Sequence, residues 1–174
     1  MITIISATNR PNSNTYKIAL SYAQLMEKQG VIPGVFSLEQ LSPDMKFIDL
    51  YGKHSDKFQQ LLEEYIIPAQ KFVFILPEYN GSFPGILKLF IDAIHPDVNR
   101  GKKAVLVGVS SGRAGNLRGM DHLTGILNYL GIHVHPNKLP ISSVLGLLNE
   151  QGHIKDEMTI KVIDKQIKDV LSWS

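Results

Sequence analysis

The sequence predicts a doubly wound α/β domain built on five parallel strands. Short apolar runs alternate with segments whose apolar residues recur at helical spacing. Two of the runs, Phe72 to Leu76 and Ala104 to Val107, are apolar throughout, as in strands covered on both faces. Parallel neighbours need a helix-length crossover, so this alternation implies helices on both sides of one sheet. The 174 residues suit a single core, and no linker, repeat or low-complexity tract interrupts the pattern, so one domain is assigned to residues 1–174.

Met1 to Ser6 reads as strand one because Ile2, Ile4 and Ile5 form a short apolar run that ends in a polar loop. Thr15 to Gln29 is helix one, with Ile18, Ala19, Tyr22, Ala23, Leu25 and Met26 at helical spacing and Gly30 as its stop. Val31 to Leu38 is strand two, placed at an edge because Pro33 and Gly34 suit a central strand poorly. An irregular connection then runs to Gly52. Ser55 to Ile67 is helical and ends at Pro68, and Phe72 to Leu76 is strand three. Pro84 to Ile94 is a helix with Pro at its start, and Lys102 to Val109 is strand four. Asn116 to Leu130 repeats leucines at helical spacing and stops at Gly131; Ile132 to His135 is strand five. Met158 to Leu171 closes the chain as an amphipathic helix.

Composition narrows the function classes. No run approaches the ~18 apolar residues of a membrane span, and the start lacks a basic n-region, so a cytoplasmic protein is expected. The chain has no Cys, which removes disulfides, thiolate metal sites and cysteine nucleophiles; any redox chemistry must come from a bound cofactor. A net charge of +2 with scattered basic residues argues against nucleic acid. It also argues against an electron carrier that docks through an acidic surface. His133 and His135 would share one side of a strand, yet no carboxylate cluster accompanies them, so no metal site is assigned. No Ser-His-Asp order is evident, and no side chain is assigned as catalytic.

Open α/β sheets bind ligands beyond the carboxyl ends of their strands, which singles out three loops. Loop one, Ser6 to Thr15, concentrates Thr8, Arg10, Ser13, Asn14 and Thr15 before helix one. Free amides at a helix N-terminus, a guanidinium and hydroxyls favour a phosphate. The competing reading is a simple helix cap by Ser13, Asn14 or Thr15 with Arg10 in solvent. Neither the G-x-G-x-x-G nor the P-loop pattern is present. Loop two, Pro77 to Gly85, holds Glu78, an Asn80-Gly81 tight turn followed by Ser82, and two aromatics, Tyr79 and Phe83, able to wall a planar ring. An ordinary strand-to-helix turn is its alternative. Loop three, Ser110 to Asn116, offers Ser111, Gly112, Arg113 and Gly115, whose backbone amides can approach a ring or sugar chain.

These loops resemble the NADPH-dependent FMN reductase family. Loop one is similar to its G-S-x-R-x-x-S motif, with Thr8 at the Ser position, then Arg10 and Ser13; Ala7 departs from the usual Gly. Loop two matches P-x-Y-N-x-S-x-P-G-x-L-K followed by I-D at every fixed position through Ile91-Asp92. Leu117-Arg118 echoes the L-R that begins the next helix of the family. The resemblance implies a flavodoxin-like fold with strand order 2-1-3-4-5 and one FMN. It implies that loop one holds the phosphate and that loops two and three hold the ring. NADPH or NADH would be the co-substrate, and a flavin, quinone or similar small molecule the electron acceptor. Arg113 has an alternative role, contact with the pyridine nucleotide instead of the flavin. The alternatives are a non-enzymatic flavodoxin-type carrier or flavin-binding module, and an α/β interaction protein without flavin. The helix Pro84 to Ile94 is apolar nearly all round, which predicts a second buried contact and hence a homodimer or homotetramer, as the resemblance also implies.

Overall fold

The computed structural model describes residues 1–41 and 53–174. The end of the connection expected to run to Gly52 lies outside the described residues. The strands are β1 (Ile2–Ser6), β2 (Gly34–Ser37), β3 (Lys71–Pro77), β4 (Lys103–Val109), β5 (His133–Val134) and β6 (Leu139–Ile141). The helices are α1 (Asn14–Lys28), α2 (Asp56–Leu61), α3 (Gly85–Asp92), α4 (Leu117–Tyr129), the short α5 (Val144–Leu147) and α6 (Glu157–Ser172). A π-helical turn, Leu62–Ile66, extends α2. The strands run parallel in the order β2-β1-β3-β4-β5, with β6 also pairing β4. The flavodoxin-like order expected from the loop motifs is the observed one.

The two-residue period of the strands splits the core into two layers. Ile5, Phe72, Phe74, Ala104 and Leu106 face one side, where Phe58, Leu87, Phe90, Met120, Leu123 and Leu127 pack on them. Ile4, Val73, Ile75, Val105 and Val107 face the other, against Ile18, Tyr22 and Met26 of α1 and Ile163, Ile167 and Val170 of α6. The central strands are therefore covered twice, which is why their sequences are apolar without alternation. The Asp156 carboxylate caps α6 by accepting from the Thr159 backbone and hydroxyl, and these bonds hold its pKa below the ordinary aspartate value.

Two strand expectations need correction. Strand two is Gly34–Ser37 and not Val31 to Leu38, because Pro33 has no N–H for the ladder and Leu38 begins a 3₁₀ turn. Strand five shrinks from Ile132–His135 to His133–Val134, and a sixth strand, unforeseen, takes over the outer edge of β4. β5 pairs with Lys103 and Ala104, whereas β6 pairs with Val107 to Val109. Between them the Leu106 carbonyl accepts from the Gln166 side chain, which also donates to the Asn137 carbonyl at 2.9 Å and accepts from Tyr22. A fully buried glutamine thus bridges the gap between two short strands. Burial raises the Tyr22 pKa further from neutrality, so its hydroxyl stays a donor.

Candidate functional site

The three loops meet beyond the carboxyl ends of β1, β3 and β4 in a cleft of about 540 Å³, within the ~300–1,000 Å³ usual for small-molecule and cofactor sites. Its walls include residues 10–15 of loop one, residues 77–79 of loop two, and Val109, Ser110 and Ser111. Val144 and Leu145 of α5 complete it.

Loop one is folded against the end of the sheet. Ala7 donates to the Ile75 carbonyl at 2.8 Å, and the fully buried Thr8 hydroxyl accepts the Arg10 amide at 3.2 Å. Ser13 caps α1: its Oγ accepts from the Tyr16 amide at 3.1 Å. The cap and the anion reading are compatible. A hydroxyl that accepts one bond still has a proton to donate, and the amides of Asn14 and Thr15 precede any helical carbonyl partner. Arg10 is exposed, lines the cleft and has no ion pair among the described residues.

Loop two continues β3 through the bond from Glu78 N–H to the Val109 carbonyl. Tyr79 and Ser82 then exchange backbone bonds of 2.8 and 3.0 Å around Asn80 (φ 51°) and Gly81 (φ 77°). Two successive positive φ values define a type I′ turn, for which Asn-Gly is the preferred pair. The turn aims Tyr79 toward loop one, where its hydroxyl lies 3.0 Å from that of Thr8. Outside the turn, Ser82 Oγ is 2.9 Å from His122 Nδ1, and the Arg118 guanidinium lies over Gly81.

Loop three is tied down on both sides. Ser110 Oγ accepts from the Gly115 amide and donates to the Gly112 carbonyl, while Ser143 and Val144 of the β6–α5 segment donate to Gly112 and Ser110 carbonyls. The buried Asn116 side chain donates to the carbonyls of Leu76 at 3.1 Å and Pro77 at 2.9 Å, fixing loop three to the end of β3.

Of the sequence-predicted residues, Arg10, Ser13, Asn14, Thr15, Pro77, Glu78, Tyr79 and Ser111 line the cleft. Thr8 lies beneath it as the link to Tyr79. Asn80, Gly81 and Ser82 form the supporting turn and are not among its lining residues, and neither are Gly112, Arg113 and Gly115. Phe83 packs on the hydrophobic core instead of walling the cleft. Val144 and Leu145 were missed because residues 136–157 carry no periodic pattern long enough to mark an element; the run Val144-Leu145-Gly146-Leu147-Leu148 was the available signal. His135 packs edge-on against Trp173 and accepts the Asn137 amide, so it serves the C-terminal packing.

The family model described as NADPH-dependent FMN reductase matches residues 1–145. An NAD(P)H-dependent FMN reductase of Pseudomonas aeruginosa is 32% identical over 160 residues, covering 87% of this chain and 85% of the relative. A 2-hydroxy-1,4-benzoquinone reductase of a Burkholderia species is 26% identical, covering 99% of this chain and 94% of the relative. Among solved structures, the flavoenzyme NAD(P)H:(acceptor) oxidoreductase FerB of Paracoccus denitrificans superimposes with a TM-score of 0.83 at 21% identity, covering 99% of this chain and 95% of that one, which shows the shared fold. The match over five-sixths of the sequence, on the loops that build the cleft, shows that the chain belongs to the NADPH-dependent FMN reductase family and is an oxidoreductase that works with FMN and NAD(P)H.

Proposed function

We propose that the cleft holds one FMN and that the protein passes electrons from NAD(P)H to a small acceptor, a flavin or a quinone. One observation carries this reading: three loops far apart in sequence meet in one cleft that combines a helix N-terminus, an arginine with no ion pair among the described residues and a tyrosine held by a buried threonine. Arg10, Ser13, Asn14 and Thr15 are suited to the phosphate. Pro77, Glu78, Tyr79 and Ser111 are suited to the ring and its polar edge. Thr8, Asn80, Gly81 and Ser82 fix the position of Tyr79, while the exposed Gly112 and Arg113 shape the outer side of loop three and the buried Gly115 packs its inner side against Pro140. Bound FMN would supply the hydride chemistry, so the protein needs no nucleophile and contributes orientation and shelter from water.

Purified protein is expected to absorb near ~450 nm, the oxidised-flavin band, and to bleach on addition of NAD(P)H alone, because the cofactor carries the reactivity. A colourless protein that takes up no FMN defeats the flavin reading. A yellow protein that bleaches only with a separate reductase is a carrier, the reading that the net charge of +2 disfavours.

The same reading includes a homodimer, or a pair of dimers, in the cytoplasm. No helix among the described residues is long and apolar enough to cross a membrane. Leu87, Phe90 and Ile91 of α3 are buried, whereas Ile86 and Leu89 remain half-exposed. An apolar groove lined by Ile91, Ile94, Ile126 and Leu130 runs between α3 and α4, beside a Tyr129 that is 90% exposed. Such a surface suits a two-fold contact. Leu89→Glu is expected to convert a sedimenting dimer to a monomer and lower reductase activity with it. Wild-type protein that sediments as a fully active 19.4 kDa species refutes the dimer.

A further inference from the structure

We propose that Arg118 recognises a phosphate of the arriving pyridine nucleotide, an inference that rests on flavin occupying the cleft. Arg118 stands in the first turn of α4, exposed, on the outer side of loop two. A cation there is opposed by the helix dipole, and the first turn carries no acid to offset it. Asp121, one turn along and placed to pair with it, is taken by Lys138 at 2.6 Å. No ion pair among the described residues involves Arg118.

Its position is nevertheless defined. A Cβ built on Gly81 would lie 3.7 Å from Arg118 Cζ and 3.8 and 4.0 Å from the two terminal nitrogens, so the guanidinium rests broadside on the turn. The turn does not need that charge for its shape. Its two backbone bonds and the contact between Ser82 and His122 already hold it. What remains is a guanidinium with no hydrogen-bond or ion-pair partner among the described residues, laid against the loop whose first residues, Pro77 to Tyr79, line the cleft.

A planar fork of donors with no carboxylate partner is the group that binds phosphate oxygens best. In the reaction of this family the anionic molecule that must reach the cleft from solvent is NAD(P)H. Its bridging pyrophosphate and, in NADPH, its 2′-phosphate offer the same chemistry. Two motifs that are 36 residues apart in the sequence, Asn80-Gly81 and Leu117-Arg118, thereby serve one purpose: the glycine leaves room for the guanidinium beside the ring loop.

The test uses flavin-loaded Arg118→Ala and Arg118→Lys proteins, with Arg100→Ala at the opposite end of the sheet as control. Affinities of NADP⁺ and NAD⁺ for the oxidised protein are measured by calorimetry, and KM and kcat for NADPH and NADH by turnover. Arg118→Ala should weaken binding and raise KM about fivefold, the scale of one exposed ionic contact, at unchanged flavin content. Lys should restore part of the loss because it keeps the charge. A loss confined to NADP⁺ and NADPH assigns the 2′-phosphate; a loss shared by NAD⁺ and NADH assigns the pyrophosphate. Unchanged affinity for both nucleotides in a folded, yellow Arg118→Ala protein overturns the proposal, as does a variant that sheds its flavin, which would make Arg118 part of the ring site. Wild-type protein that binds no flavin fails the underlying reading instead.

Discussion

Gly115→Ala is expected to lower the stability of the apoprotein by about 2–5 kcal/mol, one of the largest effects available to a single methyl group in this chain. Gly115 has a φ of +56°, which disfavours any side chain. A Cβ there would stand 2.5 Å from Pro140 Cβ, 2.8 Å from its Cα and 2.9 Å from its carbonyl carbon. These atoms belong to β6, which is paired to β4 from Val107 to Val109, so they cannot retreat without breaking the ladder. The Gly115 amide is also bonded to Ser110 Oγ, so loop three would shift as a unit and carry Ser111 away from the cleft. Gly112→Ala is the matched control. Its Cβ would meet nothing within 4 Å, and its φ is not positive, so a change within about ±0.5 kcal/mol is expected. Urea denaturation of both apoproteins decides the matter, and equal midpoints would refute the assignment of Gly115 to packing.

That contrast marks what the sequence could convey about the site. Gly81 was legible because an Asn-Gly pair between a strand and a helix has one favoured geometry, and the left-handed φ values at residues 80 and 81 are that geometry. In the sequence, Gly115 reads as a glycine whose backbone a ligand can approach. Its partner turns out to be Pro140, a residue of a strand that no local pattern announced. That packing contact is tertiary, so no local pattern announces it.

The same distinction runs through the fold. Strands β1, β3 and β4 were legible because double coverage makes their sequences wholly apolar, and α1, α4 and α6 because one buried stripe repeats every turn. The outer edge of β4 was not, since two and three residues are too few to show a period and the join between them is made by Gln166, a residue whose polarity placed it on no face. Within the cleft, loop one was identified from its density of donors, a local property. The wall from Val144 and Leu145 depends on how a segment after β6 folds back over Ser110, which is visible only in the bonds from Ser143 and Val144 to loop three.

Arg10→Ala is expected to weaken FMN binding by about 1.5–3 kcal/mol, the range for a hydrogen bond to a charged group, while leaving riboflavin affinity unchanged. Arg10 is the member of loop one that can be removed with least collateral change. Ser13→Ala would also delete the cap on Tyr16, and Thr8→Val would cut the link to Tyr79, so either loss of flavin would mix structure with recognition. The Arg10 side chain is exposed and makes no ion pair among the described residues, so its truncation strands no partner. Its guanidinium is fully available to a dianionic phosphate beside the orphan amides of α1. Riboflavin has the same ring and sugar chain without the phosphate, and the ratio of the two affinities therefore isolates the contact. Fluorescence titration of the apoprotein should give a roughly 10- to 150-fold rise in Kd for FMN alone, the factor that 1.5–3 kcal/mol represents. Added salt should narrow the gap between wild type and variant, because an exposed charge is screened. Equal losses for FMN and riboflavin would instead locate Arg10 at the ring or in the scaffold of loop one, and the phosphate would have to be assigned to the α1 amides with Ser13 and Thr15.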